Sequence, residues 1–202
     1  GNLRGPARGG LGGGGRGDVQ QGFAQADHIV ERDYRTQVQT HTPMETHGLV
    51  ADWRDEELTL YASTQYTLSV RDDAANVFGL PQEKIRVISE YTGGGFGAKF
   101  GIGNYGALAI HLSRKARARV RLVLDRREEH VTVGNRPSSI QRVKLGAQRD
   151  GTVTTLHVES YGTGGVAAGA GVGFCHTAMY PIPNVATQHY DVFTDARPGA
   201  AF

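Results

Sequence analysis

The spacing of apolar and polar positions divides the chain into strands and two helices. Ile29, Tyr34 and Val38 mark an extended segment over 27–38. Leu49–Trp53 and Leu58–Ala62 are apolar-rich with the polar run Arg54–Glu57 between them, which predicts a hairpin. Thr67–Phe78 reads as a helix with Leu68, Val70, Ala74, Ala75 and Phe78 inward, and Gly79 and Pro81 stop it. Ile85–Tyr91 predicts a strand and Gly93–Phe100 a loop. Tyr105, Leu108, Ala109 and Leu112 fall at i, i+3, i+4 and i+7, the stripe of an amphipathic helix. Val120–Leu124 is a further strand, and Ser139–Gln148 with Thr152–Tyr161 form a long hairpin around Asp150–Gly151. Val185–Val192 is the last strand. Strands and helices do not alternate regularly, so the expected class is α+β, with mixed strands and two main helices.

Composition narrows the function classes. The chain has 202 residues, of which 39 % are hydrophobic, and a net charge of +2. That length can bury a sizeable core. The charge balance gives no case for nucleic acid, and no basic stripe carries interleaved aromatics. No apolar run is long enough to span a membrane, and the N-terminal stretch lacks the apolar core of a secretory signal. One cysteine, Cys175, excludes an internal disulfide and a CxxC metal site, so an iron–sulfur centre would have to sit on another chain.

Glycine is the outlier, with 29 residues concentrated in 1–17, 93–106 and 162–173. Residues 1–17 have almost no core-forming side chains and read as a flexible linker. The other two stretches lie in ordered-looking sequence, where glycine serves close backbone approach or positive φ. At 93–106 three readings compete. A Walker A loop fails, because Lys99 is followed by Phe100 and no hydroxyl is available for Mg²⁺. Gly101-Ile-Gly103-Asn-Tyr-Gly106 matches a dinucleotide fingerprint, with Asp125 downstream, and keeps an NAD-binding dehydrogenase open. Its first glycine, however, stands well past the end of the preceding strand. In the third reading, Gly93-Gly94-Gly95-Phe96-Gly97 presents bare backbone N–H groups to a flat anionic ligand. Its competitor is a tight turn packed on a neighbouring strand, in a non-catalytic structural or interaction domain.

The surrounding motifs carry a family resemblance. His41-x-x-Met44-Glu45-x-His47 precedes Val50-Ala51 and Trp53, then Ser63-Thr64-Gln65, Gly79-Leu80-Pro81 and Gly93–Lys99. Asp125-Arg126, Arg136-Pro137, Lys144–Ala147, Asp150-Gly151, Ile182–Asn184 and Pro198–Phe202 follow. In order and spacing this resembles the large subunits of the molybdenum hydroxylases, the xanthine dehydrogenase and aldehyde oxidase family, over about 17–202. The resemblance implies that 18–202 is the first, incomplete part of a molybdopterin-cofactor-binding domain. The apolar ending Pro198–Phe202 fits a fragment that would be inactive alone.

The same resemblance implies site residues and chemistry. Gln65 aligns with a glutamine that approaches an oxo group of the molybdenum centre. Gly95, Phe96 and Gly97 align with backbone that touches the cofactor, and Phe202 with a Phe preceding a cofactor-binding Arg. Glu45 and His47 are expected to be structural, and His41 and His176 ordinary polar residues. The implied reaction is hydroxylation with water as the oxygen source. Electrons would leave through iron–sulfur clusters and FAD on other subunits or domains of a cytoplasmic or periplasmic enzyme. No direct metal ligand is implied, and none of Glu45, Glu83, Glu90, Glu128 or Glu129 matches the family's catalytic base, so no catalytic residue is assigned. Purine-oxidising members carry Glu at the position of Phe100 and Arg at that of Gly171. Each charged hydrogen bond lost there is worth roughly 1.5–3 kcal/mol. Phe100 is therefore expected to line an apolar pocket for aldehydes or aromatic N-heterocycles.

Overall fold

The computed structural model describes residues 1–5, 13–167, 169 and 179–202. Gly171, Cys175 and His176 lie outside the described residues. The chain divides into two units, 1–39 with 135–200 and 40–134 with 201–202. Ten strands and four α-helices are found among the described residues, in α+β order.

The first unit is built on one sheet, ordered β1-β10-β9-β8-β3, with β2 also on β10. Its strands are β1 (Leu3–Arg4), β2 (Gly13–Arg16), β3 (His28–Thr36), β8 (Ser139–Ala147), β9 (Val153–Gly165) and β10 (Asn184–Phe193). The β8–β9 hairpin turns at Asp150–Gly151, where Gly151 takes φ +90°. β10 then pairs parallel to β9. A short helix α1 (Val19–Ala24), capped by the Asp18 side chain, lies against Gly146 and Thr155 through Phe23 and Gly22. Leu156, Val158, Ile182 and Val185 form the core. Residues 13–16 and 3–4 pair with β10, so the glycine-rich lead-in is partly sheet rather than free linker. Glycine there removes side chains but leaves every backbone donor and acceptor free to join a ladder.

The second unit holds a four-stranded sheet, β6-β5-β4-β7. It comprises β4 (Gly48–Arg54), β5 (Glu57–Ala62), β6 (Ile85–Ile88) and β7 (Val120–Val123), with α2 (Thr67–Phe78), α3 (Gly103–Ala116) and α4 (Arg126–Thr132). β4 and β5 form the expected hairpin. Alternate residues of these strands, Leu49, Ala51, Trp53, Leu58, Leu60 and Ala62, join Val70 and Ala74 of α2 and Ala109 and Ile110 of α3 in one core. β7 pairs with β4 only as far as Ala51. Beyond it, the buried Ser113 hydroxyl on α3 accepts from the Trp53 amide at 3.0 Å, replacing a missing ladder partner.

Two helix faces differ from the pattern. Leu68 of α2 and Leu108 and Leu112 of α3 are exposed. On α3 the buried stripe is Tyr105, Gly106, Ala109, Ile110 and Ser113. A side chain at Gly106 would meet Leu49 at 2.8 Å, so small residues bring the helix close to β4 and the leucines turn to the flank. α4 was hidden by its polar composition. Its start is signalled by a capping box, in which Asp125 accepts from the Glu128 amide at 2.7 Å and Glu128 from the Asp125 amide at 2.8 Å.

Candidate functional site

The glycine turn follows β6 and lies wholly in the second unit. Gly94, Phe96 and Gly97 have positive φ, +95°, +52° and +94°, and Gly95 between them does not. Alternating handedness of this kind curls successive N–H groups toward one side. Phe96 is the exceptional member, since a residue with a Cβ resists the left-handed region. Some other part of the structure has to hold it there.

Lys99 does much of this holding. It is fully buried, and its ammonium donates to the Ser63 hydroxyl at 2.6 Å and the Glu45 carbonyl at 2.7 Å, with the Glu45 carboxylate at 3.4 Å. The Glu45 carboxylate accepts from the Gly93 amide at 2.7 Å and the Ser63 hydroxyl at 2.8 Å. The Glu45 amide returns a bond to the Gly93 carbonyl at 3.1 Å. Burial opposes ionisation of Glu45, but the Gly93 amide, the Ser63 hydroxyl and Lys99 outweigh it and hold its carboxyl below the usual range. Burial draws the Lys99 ammonium below its ordinary value, and Glu45 offsets part of that.

Gln65, at the entry to α2, closes the other side. Its side-chain oxygen accepts from the Gly97 amide at 2.9 Å and weakly from the Lys99 amide at 3.4 Å. Two donors at that oxygen fix the orientation of the amide. Its NH₂ group has no acceptor among the described residues. The Lys99 carbonyl in turn accepts from the Gln65 amide at 2.9 Å and the Thr64 hydroxyl at 2.8 Å.

Beneath the turn lies a second buried network. His47 and Glu129 are each about 1 % exposed, with Nδ1 of His47 hydrogen-bonded to the Glu129 carboxylate at 2.6 Å and Nε2 3.2 Å from the Ala98 carbonyl. Arg126 pairs with the other oxygen of Glu129 and donates to the Pro43 carbonyl at 2.6 Å. Nearby Tyr105 is pushed up to about 12 by burial and by Glu129.

The absence of side chains in the turn serves protein contacts. A Cβ on Gly95 would lie 2.3 Å from the Gln65 oxygen, and one on Gly97 2.4 Å from the Ala201 carbonyl. That carbonyl also receives Nε2 of His41 at 2.5 Å, and the Phe202 ring lies 4.8 Å from the His41 ring. Gln65, Gly95, Gly97 and, through His41, Phe202 thus form one cluster. Phe96 and Phe100 are about half exposed.

Two features fit an anionic, polar group at this turn. Among the described residues the amides of Gly94, Gly95 and Phe96 have no acceptor. Nδ1 of His41 is buried without a partner. Buried polar groups are normally satisfied, which makes the His41 nitrogen an exception. His41, expected to be an ordinary polar residue, therefore belongs to the cluster. No group of three or more metal-ligating side chains occurs among the described residues.

The dinucleotide alternative meets a structural obstacle. The Asp73 carboxylate accepts from the Ile102 amide at 3.2 Å, and a Cβ on Gly101 would meet it at 2.3 Å. An aspartate already occupies the helix end that a pyrophosphate would need. Asp125, required on a ribose in that reading, caps α4 instead.

Comparison with known proteins identifies the family. The family profile of the molybdopterin cofactor-binding domain matches residues 12–202. The aldehyde oxidoreductase molybdenum-binding subunit PaoC of Escherichia coli K12 is 33 % identical over 145 residues, 72 % of this chain and 20 % of that protein. The xanthine dehydrogenase/oxidase of Gallus gallus is 31 % identical over 196 residues, 93 % of this chain and 14 % of that protein. The chain thus spans a fifth or less of these relatives. Among solved structures, CO dehydrogenase from Oligotropha carboxidovorans superposes with a TM-score of 0.81 at 26 % identity, covering 93 % of this chain and 25 % of that one. Quinoline 2-oxidoreductase from Pseudomonas putida 86 gives 0.81 at 25 % identity, over 94 % and 26 %.

Two measurements check the site geometry. Gly95→Ala is expected to cost about 1–3 kcal/mol, because the added methyl meets Cγ, Cδ and Oε1 of Gln65 and displacing them breaks the bond to the Gly97 amide. Gly97→Ala is expected to cost about 1–3 kcal/mol, since positive φ and a fixed backbone carbonyl both oppose it; urea unfolding of the two variants compares them. The second concerns pH. The folded Glu45 carboxyl lies below its unfolded value of 4.5, so its contribution is complete above that value and is lost as pH falls through the folded one. Unfolding curves between about pH 3 and 6 should show a shallower acid slope for Glu45→Gln than for the natural chain; parallel curves would contradict the clamp.

Proposed function

Since the chain belongs to the molybdopterin cofactor-binding domain family, we propose that its glycine turn and Gln65 form one wall of the cofactor cradle. The parent would be a hydroxylase of aldehydes or aromatic N-heterocycles. The observation that carries this reading is the run of three amides without acceptors, Gly94–Phe96, beside a Gln65 NH₂ group that is oriented but unused. Bound there, the cofactor supplies the oxidation and the transfer of an oxygen derived from water.

The chain's own contribution is placement. Backbone N–H groups at the turn hold polar edges of the cofactor without needing side-chain reorganisation. The Gln65 oxygen is consumed by Gly97, so the side chain can only donate to what lies in front of it. Phe96 and Phe202 offer ring surface, and Phe100 contributes an apolar wall where a carboxylate would favour purines. The His41 ring, with one nitrogen on the Ala201 carbonyl, keeps the other for the bound group.

The chain is one part of a larger assembly in this reading. It supplies the first portion of the cofactor domain, with the rest of the large subunit, iron–sulfur clusters and flavin elsewhere. No catalytic base is assigned in it, and it is inactive alone. Among the described residues no helix is long and apolar enough to cross a membrane. Metal analysis and aldehyde:dye activity, on this chain and on a longer version, test the proposal. The expected outcome is molybdenum and turnover only in the longer version, with both lowered by Gln65→Ala. Turnover by the isolated chain would overturn the inactive-part reading, and a molybdenum-free longer version the cofactor reading.

A further inference from the structure

β4 runs from the clamp at Glu45 to a second feature at its far end, roughly 20 Å away for seven residues. There a cleft of about 740 Å³ is lined by Arg54, Arg114, Arg117 and Arg119, with Asp52 and Trp53. Asp55 also lines it, so four guanidiniums face two carboxylates.

Three of the arginines, Arg54, Arg114 and Arg119, are held by neighbours without being used up. Asp52 is nearly buried, and its two oxygens accept from Nε of Arg54 at 3.0 Å and Nε of Arg119 at 2.8 Å. Those bonds leave the terminal NH₂ pair of each guanidinium without a partner among the described residues. The Arg119 and Arg54 bonds, in that order, also hold the Asp52 carboxyl below its ordinary range, so it stays an anion that anchors both. Arg114 lies over the Trp53 ring at 4.8 Å. The Arg117 side chain, at the end of α3, has no ion pair or hydrogen bond among the described residues. Asp52 orients Arg54 and Arg119, the Trp53 ring holds Arg114, and Arg117 lines the same cleft. Planar guanidinium forks match the oxygens of phosphate in pairs.

The geometry points to an oxyanion-binding site in this cleft, taking a compact phosphate-class polyanion, separate from the glycine turn. The excess of positive charge exceeds what one carboxylate would satisfy. A volume of about 740 Å³ suits a small ligand rather than an extended segment of another protein.

Trp53 is the chain's one tryptophan, so its emission reports on the cleft directly. Inorganic pyrophosphate and inorganic phosphate are titrated into the 202-residue chain, followed by Trp53 emission and by calorimetry. Saturable binding is expected, tighter for pyrophosphate and weakened by added NaCl. Arg117→Gln, and independently Arg114→Gln, should weaken it about tenfold, the loss of one charge-assisted hydrogen bond or so. Arg86→Gln on β6 should leave it unchanged. Three results would overturn the site: no saturation in the millimolar range, full affinity in both cleft variants, or displacement of pyrophosphate by a glutamate-rich peptide of equal charge at lower concentration. The last would make the cleft a protein-docking surface instead.

Discussion

A lysine with no solvent exposure is the constraint on which the second unit's site depends. Removing an ammonium from water is unfavourable unless its hydrogens find acceptors. Lys99 finds them in the Glu45 carbonyl, the Glu45 carboxylate and the Ser63 hydroxyl. Those partners come from separate segments, so satisfying one ammonium fixes the loop before β4, the end of β5 and the glycine turn together. The turn needs that fixation. Phe96 in the left-handed region costs roughly 1–2 kcal/mol, and it persists because Gly93 is tied to Glu45 on one side and Gly97 to Gln65 on the other.

This changes the physical meaning of the glycines. Their lack of side chains makes room for Gln65 and for the Ala201 carbonyl, so the bare Cα atoms face protein. What the turn leaves open is its run of N–H groups. The position of the turn therefore comes from tight packing behind it, and in the proposed reading its open amides do the recognising. The buried His47–Glu129–Arg126 network supports the same surface from below, through the Ala98 and Pro43 carbonyls. A rigid support for a loop is what a preorganised binding site requires.

Much of the second unit could be read from the chain. The β4–β5 hairpin and α2 with its Gly79 stop rest on local signals, whereas Ser63–Gln65 and Gly93–Lys99 were linked only by the family resemblance. Contacts between distant positions were not legible. Lys99 and Glu45 are 54 positions apart, and nothing local distinguishes a clamped lysine from a surface one. The exposure of Leu108 and Leu112 reflects close approach of Gly106 to β4, which periodicity alone does not encode. Arg114, Arg117 and Arg119 are close in sequence, and the β4–β5 turn brings Arg54 to them at the end of α3. The Asp125–Glu128 spacing, by contrast, was a local signal for α4 that could have been found.

Amide hydrogen exchange across the glycine turn tests the clamp most directly, comparing the natural chain with Lys99→Met. The account predicts that Gly93 and Gly97 are protected in the natural chain while Gly94 and Phe96 exchange fast. In Lys99→Met, Gly93 and Gly97 should lose protection while Ala109 and Ile110 of α3 keep theirs. Unchanged protection at Gly93 and Gly97, or equal protection at all four turn amides in the natural chain, would contradict it.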